Sequence, residues 1–139
     1  MTTFAPHRDT LESFVDCIHG ADKDTLTRLL AEDVVLNGPL GEQVTGREAA
    51  VETIQTVNRL ASDDTYMEVL SGETHHAAFY RLQIGDAAVN GMLYVLLGAD
   101  GKIAEVTIFW RPLPSGVALQ RNLADALGMQ PWELRTNGE

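Results

Sequence analysis

Few side chains in this sequence stand at spacings that could do chemistry. His75 and His76 are adjacent, but consecutive residues of a strand point to opposite faces, so one metal site cannot easily use both. A solvated pair at a hairpin edge is the better account of them. Cys17 and His19 lie two apart in a helical stretch, roughly 200° around its axis, which rules out a local thiol–imidazole dyad. Cys17 reads as a small core residue. The acidic doublets Glu32-Asp33 and Asp63-Asp64 fall at element boundaries and read as solvated caps, since acid–base work by two carboxylates needs a shared cleft. The sequence holds no phosphate-binding loop, dinucleotide fingerprint, nucleophile elbow or C-x-x-C pair. No cofactor and no metal is expected.

The unusual residues are in "FYRLQI". Alternation puts Phe79, Arg81 and Gln83 on one face and Tyr80, Leu82 and Ile84 on the other. The second face is apolar, so the first should be wet in a simple two-layer domain. The following stretch, "GMLYVLL", is apolar on both faces, with Leu93, Val95 and Leu97 against Met92, Tyr94 and Leu96. If Arg81 shares the side of Leu93, Val95, Val106, Ile108 and Trp110, it stands in an apolar enclosure.

The elements that must position these residues follow from periodicity. Leu11, Phe14, Val15 and Ile18 predict an amphipathic helix from about Pro6 to His19, stopped by Gly20. A shorter helix from Asp22 to about Leu30 and a strand in "DVVLNGPLG" follow. Thr45 and Glu48 stand at capping-box spacing before a helix from about Arg47 to Ala61, which buries Ala50, Ile54, Val57 and Leu60 or Ala61. The period then changes from 3.6 to 2, predicting strands near 65–71, 74–84, 87–97 and 103–112, joined by short turns as an antiparallel meander. A last helix runs from about Ser115, its N-cap candidate, to Leu127, with Gly128 as stop. The expectation is one α+β domain over residues 1–139, with helices packed on one face of a curved sheet.

Composition narrows the partners. A net charge of −10 with scattered basic residues argues against nucleic acid and anionic membrane surfaces, both of which need clustered Lys and Arg. The single cysteine excludes an internal disulfide and suits a reducing compartment. Neither a signal peptide nor an apolar run of spanning length is visible, so a soluble cytoplasmic protein is expected.

"LLAEDVVLNGPLG", "TGREAAVETI" and "GKIAEVTIFWRPL" together resemble the nuclear transport factor 2-like superfamily, which includes SnoaL-like cyclases, ketosteroid isomerases and limonene-1,2-epoxide hydrolases. The resemblance extends to about Pro112. It implies a cone in which a curved antiparallel sheet and helices on its concave face enclose an apolar pocket, with the convex face forming a homodimer. The C-terminal helix lies beyond the family core and either covers the cone's mouth or reaches across the dimer.

The family's catalytic residues do not carry over. The isomerase tyrosine falls at Phe14, its general-base aspartate at Gly38 and its protonated aspartic acid at Leu93. The hydrolase's tyrosine and asparagine fall at Leu36 and Gly38, and its Asp–Arg–Asp set at Gln83, Arg81 and Ile108, where only the arginine survives. Gln83 cannot take a proton from water near neutral pH.

By the resemblance, the pocket face carries Phe14, Leu36, Gly38, Phe79, Arg81, Gln83, Leu93, Val95, Val106, Ile108 and Trp110. Trp110 is also readable as a lid. Two readings of Arg81 stand: an internal ion pair with Asp16, Glu68 or Glu105, or a fork gripping a ligand anion. The function expected is binding of an elongated hydrophobic molecule with an anionic or carbonyl head. The alternative is an isomerase, cyclase, dehydratase or hydrolase using His75, His76, Tyr80, Asn37 or Glu105, each read as structural or outward-facing. A pure interaction module, its pocket filled by its own side chains, is a third.

Overall fold

The computed structural model describes residues 10–16, 22–39 and 43–133, the side chain of Asp64 excepted. Helix α1 covers residues 10–16, followed by α2 (Lys23–Leu29), β1 (Leu30–Asn37), β2 (Gln43–Thr45) and α3 (Arg47–Leu60). Strands β3 (Asp63–Ser71), β4 (His75–Ile84), β5 (Ala87–Leu97) and β6 (Ile103–Arg111) come next, and α4 (Leu113–Leu127) closes the order. Cys17, Ile18, His19 and Gly20 lie outside the described residues.

The strands form one curved, unclosed sheet of six in the order β2-β1-β6-β5-β4-β3. The meander β3 to β6 is antiparallel as expected, but β1 joins β6 in parallel, so the sheet is mixed. Residues 38–102, from β2 through β5, separate β1 from β6, which is the long crossover that parallel pairing requires.

The β4–β5 hairpin sets which side chains share a face. Its loop is the two residues Gly85 and Asp86, with Ile84 opposite Ala87 and Gly85 at φ 62°, a backbone region open to glycine at no steric cost. From that turn every even residue of β4 lies across an odd residue of β5: Leu82 across Val89, Tyr80 across Gly91, Ala78 across Leu93. The buried positions alternate accordingly, with His76, Ala78, Tyr80, Leu82 and Ile84 on the inner face of β4. The odd residues of β5 from Ala87 to Leu97 continue that face. A one-residue slip would turn both sets outward, so burial and turn geometry enforce one register.

Helices α3 and α4 cover the inner face. Ala50 and Val51 of α3 are buried, and Ile54 and Val57 pack against the same core, whereas Leu60 is 38% exposed. Leu119 and Leu123 of α4 are fully buried. Asn122 ties α4 to the hairpin through bonds from its Nδ2 to the Ile84 carbonyl (2.8 Å) and the Asp86 carboxylate (3.2 Å). The C-terminal helix therefore packs on its own sheet.

Two capping expectations fail. Gly46, not Thr45, precedes α3, and no side chain caps that end; the Gly46 φ of 98° places the turn one residue later than a Thr45 cap requires. Helix α4 begins at Leu113, after Pro112, so Ser115 lies inside its first turn. Gly128 ends it in the left-handed conformation, as expected. No described helix is long and apolar enough to cross a membrane.

Candidate functional site

One register row crosses four strands. Tyr66 of β3 lies opposite Tyr80 of β4, Tyr80 opposite Gly91 of β5, and Gly91 opposite Trp110 of β6. A Cβ on Gly91 would meet the Tyr80 ring, its Cζ above all, so the glycine leaves the space into which the phenol lies down. Across that gap Trp110 Nε1 donates to the Tyr80 hydroxyl at 2.8 Å. Tyr66 and Tyr80 pack with ring centroids 5.4 Å apart and planes tilted by 39°. Tyr80 is only 5% exposed. Burial pushes its pKa far above the ordinary value, and the bond from Trp110 offsets only part of that rise, so the phenol stays protonated.

This row is part of the wall of a cavity of about 200 Å³ between the sheet and helices α3 and α4. Leu36 and Gly38 contribute from the end of β1, Leu93 from β5, and Ile108 with Trp110 from β6. Ile54 and Val57 of α3 stand across from them, and Leu123, Leu127 and Met129 close the C-terminal side. The chain beyond α4 is pinned there by Gln120, which is fully buried: its Nε2 donates to the Gln130 carbonyl (2.9 Å) and its Oε1 accepts from the Trp132 amide (2.8 Å). The polar side chains among its lining residues are those of Tyr80, Tyr66, Trp110, Thr53 and Asn58. No charged side chain, histidine or cysteine lines it among the described residues.

The structure thus brings together Leu36, Gly38, Leu93, Ile108 and Trp110. Phe14, Val95 and Val106 are buried in the core and do not line the cavity. Phe79, Arg81 and Gln83 are corrected outright: they occupy the outer face of β4, because the two-residue turn pairs odd with even positions. Arg81 is half exposed, and its Nε lies 3.8 Å from a carboxylate oxygen of Asp63, not from Asp16, Glu68 or Glu105. Asp63 also accepts from the Thr65 hydroxyl at 2.7 Å. The pair sits in water and grips nothing in the cavity.

The remaining polar candidates divide the same way. His75 is exposed and stacks on Tyr94, with centroids 5.4 Å apart, while His76 is buried at 2% exposure. The solvated reading therefore holds for the first and fails for the second. Asn37 and Glu105 are on the outer face, where Asn37 Nδ2 donates to Glu105 Oε2 at 2.8 Å and Gln43 Nε2 donates to Asn37 at 2.9 Å. Tyr80, expected to be structural or outward, faces the cavity. No group of three potential metal ligands is gathered among the described residues.

The outer face carries a row of its own. Phe79, Met92 and Phe109 are register neighbours on β4, β5 and β6. Phe109 is 51% exposed, Tyr94 43% and Leu70 50%.

A family model described as a SnoaL-like domain matches residues 11–106. Among solved structures, a steroid delta-isomerase from Pseudomonas aeruginosa is 22% identical, with TM-score 0.80 over 89% of this chain and 93% of that one. An NTF2-like protein of unknown function from Mesorhizobium loti is 18% identical, with TM-score 0.73 over 81% and 96%. A de novo designed protein with a curved β-sheet is 15% identical, with TM-score 0.70 over 86% and 96%. No curated protein matches the chain. These likenesses establish the nuclear transport factor 2-like fold, which is compatible with an enzyme, a protein without known activity and a designed shape alike.

Proposed function

Because the chain belongs to the family of SnoaL-like domains, we propose that its cavity binds a small, uncharged, mainly apolar molecule. The observation that carries this reading is the wall itself, apolar with a few hydroxyl, amide and indole groups and no ionised side chain among the described residues. Such a wall penalises an anion, whose desolvation nothing there would repay. An arginine-held anionic head, one of the two heads expected from the sequence, has no support once Arg81 is outside. The volume favours a compact ligand over an elongated one. About 200 Å³ exceeds the roughly 150 Å³ apolar cavity that takes up benzene. It falls short of the ~300–1,000 Å³ of drug-sized sites.

Binding rather than turnover is the better-supported half of the reading. Proton abstraction needs a titratable base within hydrogen-bond reach of the substrate, and the described wall offers only phenols. The test is fluorescence titration with 1-naphthylamine, a compact neutral dye, against the native protein and Val57→Phe, which narrows the cavity from α3. Saturable binding weakened in the variant supports the reading. No binding, or equal binding by both, sinks it.

The same reading includes a homodimer through the outer face. Phe79, Met92 and Phe109 form an apolar row, and a two-fold axis would set that row against its own copy.

A further inference from the structure

Resting on the proposed binding site, we infer that the Tyr80 hydroxyl is the hydrogen-bond donor that selects and orients the ligand, and that the ligand carries an uncharged accepting oxygen such as a ketone, ester or ether. Four observations converge on this group. Tyr80 lines the cavity and is 95% buried by its 5% exposure. Its oxygen accepts one hydrogen bond, from Trp110 Nε1 at 2.8 Å. A phenol oxygen that accepts still has its own proton to donate, and no described residue takes that proton. Gly91 leaves the space that lets the ring lie between strand and cavity. Finally, burial keeps the phenol protonated at neutral pH, so there it presents a donor.

The Trp110 bond does two things for that donor. It fixes the phenol oxygen in place, so little orientational freedom is lost on binding. It also polarises the O–H group, because a hydroxyl that accepts a bond donates a stronger one. A buried donor left without an acceptor costs free energy. A ligand oxygen that meets Tyr80 recovers that cost, and a hydrocarbon of the same shape does not. Selectivity therefore comes from one proton in an otherwise apolar wall.

The experiment compares adamantanone with methyleneadamantane, in which an exocyclic methylene replaces the carbonyl oxygen, as competitors of 1-naphthylamine. The affinity of the ketone relative to the hydrocarbon should fall by about tenfold from native protein to Tyr80→Phe, the scale of one buried hydrogen bond. Hydrocarbon affinity should stay within about twofold between the two chains. A ratio that is the same in both chains overturns the role of Tyr80 while leaving the cavity's binding intact. Failure of both compounds to displace the dye overturns the binding reading with it. Should Tyr80→Phe not fold, the carbonyl-carbon resonance of adamantanone bound to native protein decides. It should lie downfield of its position in cyclohexane, and an unshifted resonance rejects the inference.

Discussion

Trp110 Nε1 donates to the Tyr80 hydroxyl at 2.8 Å, across the only inward position of β5 that carries no side chain, Gly91. Three strands supply one residue each to this contact. A register error anywhere in the β4–β5–β6 meander would take it apart, so it couples the folding of the sheet to the chemistry of the cavity. It also explains why a glycine stands inside a buried strand, where it would ordinarily weaken the structure.

Ionising the buried phenol must oppose folding. The folded-state pKa of Tyr80 is raised above its ordinary value near 10. Its contribution is therefore fully present below pH 10 and is lost as pH rises from there toward the folded value. Stability should fall by up to about 1.4 kcal/mol per pH unit in that window from this group alone. Urea denaturation of native protein and Tyr80→Phe at successive pH values above 10 should give a steeper decline for the native chain.

Gly91→Ala should destabilise by about 1–3 kcal/mol, the usual cost of overpacking a close-packed site. Its Cβ would meet the Tyr80 ring, and that ring has the Trp110 bond to lose if it moves. The same substitution on a Tyr80→Leu background should cost clearly less. Chemical denaturation of the four chains measures the coupling.

Arg81→Leu should leave ligand affinity unchanged and alter stability by less than about 1 kcal/mol. The guanidinium is half exposed beside Asp63 at 3.8 Å, and exposed pairs of that kind contribute little. Dye titration and thermal melting of the variant check both statements.

Phe109→Arg should shift the native protein from dimer to monomer in analytical ultracentrifugation at micromolar concentration, with the melting profile retained. Phe109 is 51% exposed and is the end of the outer apolar row, so a charge there burdens an interface and leaves the core untouched. A native protein that is monomeric before substitution would remove the dimer from the account.

Much of the fold was legible because period and punctuation agree in it. The turns at Gly85-Asp86 and Gly98–Lys102 and the stop at Gly128 fall where the sequence puts them, while β3 begins at Asp63 rather than near residue 65. Of the residues that the resemblance implied for a pocket, Leu36, Gly38, Leu93, Ile108 and Trp110 line the cavity. Arg81 was misplaced because it was carried over by resemblance to relatives, against a signal in the chain itself. A two-residue turn at 85–86 pairs odd with even positions, so Arg81 and Leu93 cannot share a face. That parity also turns Tyr80 inward. The helix side of the wall was harder. Ile54 and Val57 read as core, and nothing local marks a helix face that borders a cavity. Gln120 and Met129 act through a chain reversal after α4 that no periodicity announces.

Mass spectrometry of small molecules extracted from purified native protein, with Val57→Phe extracted in parallel, decides whether the cavity holds an uncharged molecule. An apolar compound bearing a neutral oxygen, released by the native protein and depleted in the variant, is the predicted result. A carboxylate, phosphate or other anion recovered in near-stoichiometric amount from the native chain and lost from the variant would contradict it.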